Sequence, residues 1–257
     1  MSGISVVLPA YNEEENIEAV VNQALDVLPD LIDDFEVIVV NDGSTDGTAG
    51  IVHSIVSEHH PYVRLLSHTS NQGYGAALRT GFSRARHELV FYTDADRQFD
   101  IAELAYFLPF MAEYDVVVGF RVYRYDAVLR SILSWTYNRI VRVLFRVRVR
   151  DVDCSFKLFR REVLDKITVE STDFFVDTEL VAKARKWNFR IAEKGVRHYP
   201  RVAGATTVVA GNIPQTLRTV ARMWQRIYFP TRRQLDEAAE IRARLEEGAV
   251  EAIPAPR

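Results

Sequence analysis

The chain has 257 residues, 48% hydrophobic and 26% charged, with 32 Lys and Arg against 35 Asp and Glu for a formal net charge of −3. This balance excludes a general nucleic-acid binder, which presents a net basic surface, and the length suits one large α/β domain or two small ones. Cys154 is the only cysteine, which excludes an intramolecular disulfide and is compatible with a reducing compartment.

The first nine residues, Met1 to Pro9, lack the basic region and cleavage site of a signal peptide. No stretch reaches the roughly 20 apolar residues that span a bilayer. Any membrane contact is therefore expected from the surface, without a transmembrane helix.

Ile4 to Leu8 reads as a first strand closed by Pro9, followed by Ala10-Tyr11-Asn12-Glu13-Glu14. Apolar residues at Ile17, Val20, Val21, Ala24, Leu25 and Leu28 then recur with helical spacing. Asn12 is placed as the N-cap, and glutamates in the first turn complement the helix dipole. Phe35 to Val40 is a second strand, running into the turn cluster Asn41-Asp42-Gly43-Ser44-Thr45-Asp46-Gly47-Thr48 and a helix through Ile51, Ile55 and Val56. Val63 to Leu66 is a third strand, followed by Asn71-Gln72-Gly73-Tyr74-Gly75 and a helix with Ala76, Ala77, Leu78, Gly81 and Phe82. Strand and helix alternate in this way up to a fourth strand, which predicts a mostly parallel sheet with right-handed crossovers.

That fourth strand, Leu89-Val90-Phe91-Tyr92-Thr93, is a continuous apolar and aromatic run ending in Asp94-Ala95-Asp96. Ligands of open α/β sheets bind beyond the carboxyl ends of the strands, and residues i and i+2 of extended chain point to one side. Asp94 and Asp96 can thus converge on one target, and two hard carboxylates suit Mg²⁺ or Mn²⁺ completed by phosphate and water. A lone Asp-x-Asp can equally cap the next helix. Around it, Pro9 to Glu13 could receive a nucleobase with Tyr11 as an apolar wall, and Asp42 could accept a hydrogen bond from base or ribose. Gly73 and Gly75 could bring backbone amides to a phosphate. The sequence has neither the Gly-x-Gly-x-x-Gly fingerprint at the first strand nor a Gly-Lys-Ser/Thr phosphate loop.

Leu8-Pro9-Ala10-Tyr11-Asn12-Glu13-Glu14, Val40 to Thr48, Asn71 to Gly75 and Asp94-Ala95-Asp96 stand in the order of the motifs of the family 2 glycosyltransferases. The chain resembles that family, whose members are inverting, nucleotide-sugar-dependent enzymes of the GT-A fold. The resemblance implies that Pro9, Tyr11, Glu13 and Asp42 surround the nucleoside. With Gly73, Asp94, Ala95 and Asp96 they form the donor site, Asp94 and Asp96 holding the metal against the diphosphate. Asp96-Arg97-Gln98, Gly119-Phe120-Arg121, Asp151 to Arg161 and Tyr199 to Thr206 look like the dolichol- and polyprenol-phosphate sugar synthases. In that branch Gln98 would join the metal, Arg121 would face the phosphates, and Arg130, Ser134 and Arg201 would hold the acceptor phosphate. Ser155 stands where glycine is common in the branch.

A phosphate monoester has a second pKa near 6 and is largely dianionic at neutral pH, so its oxygen needs no general base. This fits an arginine-rich site with no histidine beside the Asp pair in the sequence. The catalytic set is then Asp94, Asp96 and Arg121, acting on a polyprenyl or dolichyl phosphate. Were the acceptor a sugar hydroxyl of a polysaccharide or glycolipid, a base would be needed. Asp151, Asp153, Asp177 and Glu179 are the candidates, with capping or pairing to arginines as the competing role for each. A non-catalytic nucleotide-sugar-binding protein is the third alternative.

Arg121 to Arg150 carries eight arginines and one acid, interleaved with apolar residues, a net +7. Such a basic amphipathic helix can lie in a membrane interface. A second basic stretch, Ile213 to Arg233, has five arginines, no acid and an apolar stripe of Leu217, Val220, Met223, Trp224, Ile227, Tyr228 and Phe229. It is expected as a surface anchor or a contact in a homo-oligomer. The expected organisation is a GT-A catalytic domain over 1–211, with a nucleotide-sugar half at about 1–120 and an acceptor half at about 121–211. Residues 212–257 would form an amphipathic helix and a charged, partly disordered tail. The expected location is peripheral, on the cytoplasmic face of a membrane.

Overall fold

Among the described residues the strands are β1 (Ile4–Ala10), β2 (Phe35–Asn41), β3 (Val63–Ser67), β4 (Leu89–Thr93), β5 (Val116–Arg121), β6 (Phe156–Arg160) and β7 (Ile191–Val196), of which β1, β2 and β4 are buried throughout. The helices are α1 (Ile17–Leu31), α2 (Thr48–His59), α3 (Tyr74–Arg84), α4 (Val128–Phe145), α5 (Arg161–Lys166), α6 (Val176–Lys186), α7 (Ile213–Tyr228) and α8 (Arg232–Glu246). The computed structural model describes residues 3–122, 128–200 and 213–246, with the side chains of 128–135, 213–217, 244 and 246 outside that description. Among the described residues, no helix is long and apolar enough to cross a membrane.

The strands form one sheet in the order β3-β2-β1-β4-β6-β5-β7. β1 to β4 are mutually parallel, as their alternation with helices requires, and β5 and β7 pair in parallel. β6 alone runs antiparallel, to both β4 and β5. The fold is thus the expected mixed α/β architecture on a mostly parallel sheet. Each face of the sheet has its own core. One packs Ile17, Val21 and Leu28 of α1 and Val52 of α2 against Leu8, Phe91 and Phe156. The other packs Leu78 of α3, Leu180 of α6, Val141 and Phe145 of α4 and Val220 of α7 against Val7, Val90 and Phe159. Coverage on both sides explains why the strands read as unbroken apolar runs.

The chain leaves β1 towards β2 and β3, then returns to β4 on the opposite side, so a crevice opens between the carboxyl ends of β1 and β4. Pro9 contributes to it locally. β1 continues pairing with β2 to Ala10, but its pairing with β4 stops at Val7 opposite Tyr92. Proline has no N–H to extend that seam. The strand expected to close at Pro9 therefore runs one residue further, on one side only.

Two local expectations change. Asn16 rather than Asn12 precedes α1, and Asn12 sits at φ 55° with its Oδ1 accepting from the Thr45 amide at 2.8 Å. The apolar stripe of α7 turns inward: Val220, Met223 and Ile227 are buried in the same core as Phe145 and Leu180. Tyr228 donates its hydroxyl to the Phe145 carbonyl at 3.0 Å, and Lys186 Nζ bonds the Ile227 carbonyl. Those stripe residues are thus committed to the protein's own second core, because burying them there removes their apolar area from water. On α4, Val141 and Phe145 are likewise buried, whereas Val143 is exposed.

The odd strand, β6, is held by a buried ammonium. Lys157, fully buried, spends its three donors on the Asp177 carboxylate of α6, the Tyr92 hydroxyl at 3.0 Å and the Cys154 carbonyl at 2.7 Å. Tyr92 in turn donates to Asp177. Removing one partner of a buried pair leaves the other charge uncompensated. Lys157→Met is expected to cost about 3–5 kcal/mol in urea unfolding, with part recovered in Lys157→Met/Asp177→Asn. A single variant within about 1 kcal/mol of the parent would contradict this account.

Candidate active site

Because β6 alone is reversed, the carboxyl ends of the other strands and the start of β6 meet at one edge of the sheet. On the β1 side, the loops after β1 and β2 are cross-linked. Asn12 N–H donates to Ser44 Oγ at 3.0 Å, Glu13 N–H to Thr48 Oγ1 at 2.9 Å and Gly47 N–H to Glu14 Oε2 at 2.7 Å. Tyr11 emerges from this scaffold 37% exposed. Glu13 Oε2 accepts from Asn16 Nδ2 at 2.8 Å, and Pro9 is buried in β1.

Asp42 is buried, and three donors converge on it: His68 Nδ1 at 2.6 Å, the Gln72 amide at 2.9 Å and the Gly73 amide at 2.8 Å. Since the carboxylate only accepts, Nδ1 carries the proton. In the neutral ring Nε2 is then the acceptor for Thr80 Oγ1, 2.9 Å away. The Gly73 amide, expected to meet a phosphate, is therefore used inside the protein. Gly73 has φ 100°, and a Cβ there would stand 2.2 Å from the Thr172 carbonyl oxygen. The close approach the glycine permits is to the 171–173 backbone. His68 was not legible as a site residue, since nothing in its local sequence marks it.

On the β4 side, Asp96 is buried and Asp94 half-buried, with Ala95 buried between them. Asp96 Oδ1 accepts from the Gln98 amide at 3.0 Å, across Arg97 at φ 62°. Left-handed backbone at a non-glycine residue is strained and persists where surrounding bonds fix it. Here Gln98 Nε2 donates to the Tyr199 carbonyl at 3.0 Å, and Tyr199 N–H to the Gln98 carbonyl at 2.8 Å. A histidine does reach this turn from far along the chain. His198 packs edge-on against Phe99 with ring centroids 5.1 Å apart.

Asp94 Oδ1 accepts from the Tyr74 hydroxyl at 2.7 Å, and its Oδ2 from Ser155 Oγ. Burial, and then the charge of Asp96, push the Asp94 carboxyl up to about 7 against the pull of the Ser155 and Tyr74 hydroxyls. Burial and Asp94 hold the Tyr74 phenol well above its ordinary range, so it remains a donor. Two neighbouring carboxylates, the charge of one raising the pKa of the other, are the hard oxygen ligands that suit a divalent cation. Among the described residues no group of three or more His, Cys, Asp and Glu gathers to hold a metal. A cation at this pair would need other oxygens to complete its shell, such as those of phosphate and water.

Arg121 ends β5. Across β6 it stands about 10 Å from β4, two strand spacings. It forms a two-pronged ion pair with Asp151, Nε to Oδ2 at 2.7 Å and Nη2 to Oδ1 at 2.8 Å. Burial opposes its charge, but the Asp151 bonds and field outweigh that and raise its pKa. Its remaining N–H groups lie outside the fork. Of the other candidate bases, Asp177 is bound by Lys157 and Tyr92, and Glu179 accepts from the Glu170 and Ser171 amides and from Lys183. Asp153 is different: burial, then Asp177 and Asp151, push it up to about 7 against Arg121 and Lys157. Burial first, then Asp151, also raises the Cys154 thiol, which stays protonated and inert. The side chains of Arg130 and Ser134 lie outside the described residues, as does Arg201.

Comparisons with known proteins bear on this geometry. The chain matches the family described as "Glycosyl transferase family 2" over residues 5–168. Glycosyltransferase AglD of Haloferax volcanii is 35% identical over 86% of this chain, which spans 37% of that protein. A polyprenol monophosphomannose synthase of Mycolicibacterium smegmatis is 29% identical over 84% of both chains. A dolichyl-phosphate beta-glucosyltransferase of Dictyostelium discoideum is 30% identical over 75% of this chain and 65% of its own length. In fold, the chain is similar to glucosyl-3-phosphoglycerate synthase from Mycobacterium tuberculosis, solved with Mn²⁺, UDP and phosphoglyceric acid. The TM-score is 0.62 at 21% identity, covering 88% of this chain and 76% of that one.

Asp153 carries a pH dependence whose sign follows from its raised pKa. A carboxyl with a folded pKa near 7 and an unfolded one near 3.9 supports the fold while protonated, and that support is lost as pH rises from about 4 through 7. Asp153→Asn, which imitates the neutral acid, is expected to stabilise the protein by about 3–4 kcal/mol at pH 8 relative to pH 4. Thermal unfolding at both pH values checks this, and an equal effect at the two would contradict it.

Proposed function

The chain belongs to glycosyl transferase family 2, and from that premise we propose that it moves a hexosyl unit, with inversion, from a GDP- or UDP-linked sugar to a polyprenyl or dolichyl phosphate. One observation carries the acceptor class. Asp151, Asp177 and Glu179, which could have served as a general base, are bound to Arg121, Lys157 and Lys183. A phosphate-monoester dianion needs no base, so a site that ties up three of its four candidate carboxylates and keeps an arginine charged suits it. The names of the relatives, a polyprenol monophosphomannose synthase and a dolichyl-phosphate glucosyltransferase, agree with that class.

In this reading the crevice between β1 and β4 takes the donor, with Pro9, Tyr11 and Glu13 at the nucleoside and Asp42 shaping its floor. Asp94 and Asp96, with Gln98, hold Mg²⁺ or Mn²⁺. A bound cation neutralises charge developing on the departing diphosphate. Arg121, kept charged and fixed by Asp151, adds a donor preorganised for that same charge. The acceptor phosphate falls to Arg130 and Ser134, one helical turn apart on α4, and to Arg201. Residues 1–120 then form the donor half and 121–211 the acceptor half. Exposed Arg139, Arg146, Arg148 and Arg150, beside the exposed Val143, would meet anionic lipid at the cytoplasmic face of a membrane.

A second reading, transfer to a sugar hydroxyl, is favoured only by Asp153, whose pKa near 7 suits a base working at neutral pH. A screen of radiolabelled nucleotide sugars with polyprenyl phosphate and Mg²⁺ or Mn²⁺ separates the two. Label is expected to enter the lipid phase from one donor, with Asp96→Ala lowering transfer by at least about a hundredfold. Donor hydrolysis with no lipid product, abolished in Asp153→Asn, would move the assignment to a hydroxyl acceptor. For the membrane surface, Arg146→Glu/Arg148→Glu is expected to weaken co-sedimentation with anionic vesicles by about tenfold or more. Unchanged binding would exclude that face.

A further inference from the structure

Two hydroxyls from distant parts of the chain reach the same carboxylate. Tyr74, opening α3, donates to Asp94 Oδ1 at 2.7 Å, and Ser155, just before β6, donates to Asp94 Oδ2. Each carboxylate oxygen has room for two partners, so each keeps a lone pair in a direction set by the hydroxyl already bound. We propose that Tyr74 and Ser155 are positioning residues that fix the plane of the Asp94 carboxylate and aim its remaining lone pairs at the divalent cation. This deepens the reading given under the proposed function and rests on it.

Both hydroxyls are held independently of Asp94, as a positioning device requires. Gly73 and Gly75 press the first turn of α3 against residues 171 and 172. A Cβ on Gly75 would stand 2.2 Å from the Ser171 carbonyl oxygen, and the Gly75 amide donates to the Thr172 carbonyl at 3.0 Å. Glu179 braces that segment by accepting the Glu170 and Ser171 amides. The Tyr74 ring is then stacked on Phe174, with centroids 5.4 Å apart and planes 26° apart. That stack restrains the ring that carries the hydroxyl.

Ser155 is fixed from the other side. Its predecessor Cys154 gives its carbonyl to the buried Lys157 ammonium, and its successor Phe156 pairs with Thr93 in the sheet. That register sets Ser155 opposite Asp94, where a glycine would offer no donor. Without the two hydroxyls, Asp94 would be free to rotate away from the like charge of Asp96. Outer partners of metal ligands typically contribute 10–100-fold to metal affinity.

The test is Mn²⁺ binding by the full chain in the presence of uridine or guanosine diphosphate, with free Mn²⁺ counted by electron paramagnetic resonance. Tyr74→Phe, which keeps the ring stack, and Ser155→Ala are each expected to weaken Mn²⁺ binding about tenfold, while Ser155→Thr stays within about threefold of the parent. Nucleotide binding without metal should not change in any of them, a split that a general loss of packing would not give. If Ser155→Ala fails to fold, Tyr74→Phe alone decides. Variants that bind Mn²⁺ within about twofold of the parent would overturn the positioning role and leave the metal reading standing. A parent that binds no Mn²⁺ with either nucleotide would overturn the metal reading and this inference with it.

Discussion

The placement of β6 and the start of α6 depends on one buried ion pair. Lys157 lies fully inside the protein, and its ammonium reaches Asp177, Tyr92 and the Cys154 carbonyl. Through those bonds it ties β6 to β4 on one side and to the start of α6 on the other. Buried pairs are seldom large net stabilisers, because desolvation offsets most of their attraction. What this one provides is register. It sets the only reversed strand so that Ser155 arrives at Asp94 and the 151–153 turn arrives at Arg121.

The ends of β2 and β3 depend on a comparable anchor. Asp42 gathers His68 and the amides of Gln72 and Gly73, which joins the ends of β2 and β3 to the first turn of α3. The same turn carries Tyr74 to Asp94. A displacement at Asp42 would thus pass through Gly73 and Tyr74 into the Asp pair. The two halves of the site meet at Asp94, which receives one hydroxyl from each.

Charge is distributed to match. Asp94 and Asp153 are both pushed up to about 7, chiefly by burial, while Arg121 is kept charged by Asp151. The site therefore holds two neighbouring carboxylates where a cation is proposed and fixed positive charge about two strands away. A group transfer that releases a diphosphate towards arginine and metal uses both. Away from the edge, arginines serve structure as well. Arg226 pairs with Glu237, and Arg142 bonds the Val149 and Arg150 carbonyls.

The sequence by itself determined the β/α alternation through β4, the Asp94–Asp96 pair at a strand end and the family, because apolar runs, turn clusters and ordered motifs are local in the chain. It also offered capping or pairing with arginines for Asp151, Asp153, Asp177 and Glu179, which holds for Asp151 with Arg121, whereas Asp177 and Glu179 pair with lysines. It could not show that β6 runs backwards between β4 and β5, since reversal depends on pairing across the sheet rather than on any local pattern. For the same reason Tyr74, Ser155, His68 and His198 were not legible at their places: each joins the site through a partner 20 to 99 residues away. The α7 stripe had the period of a membrane-surface helix, but periodicity states only that one face is apolar. Tertiary packing decided which surface covers that face, and here it is the protein's own core.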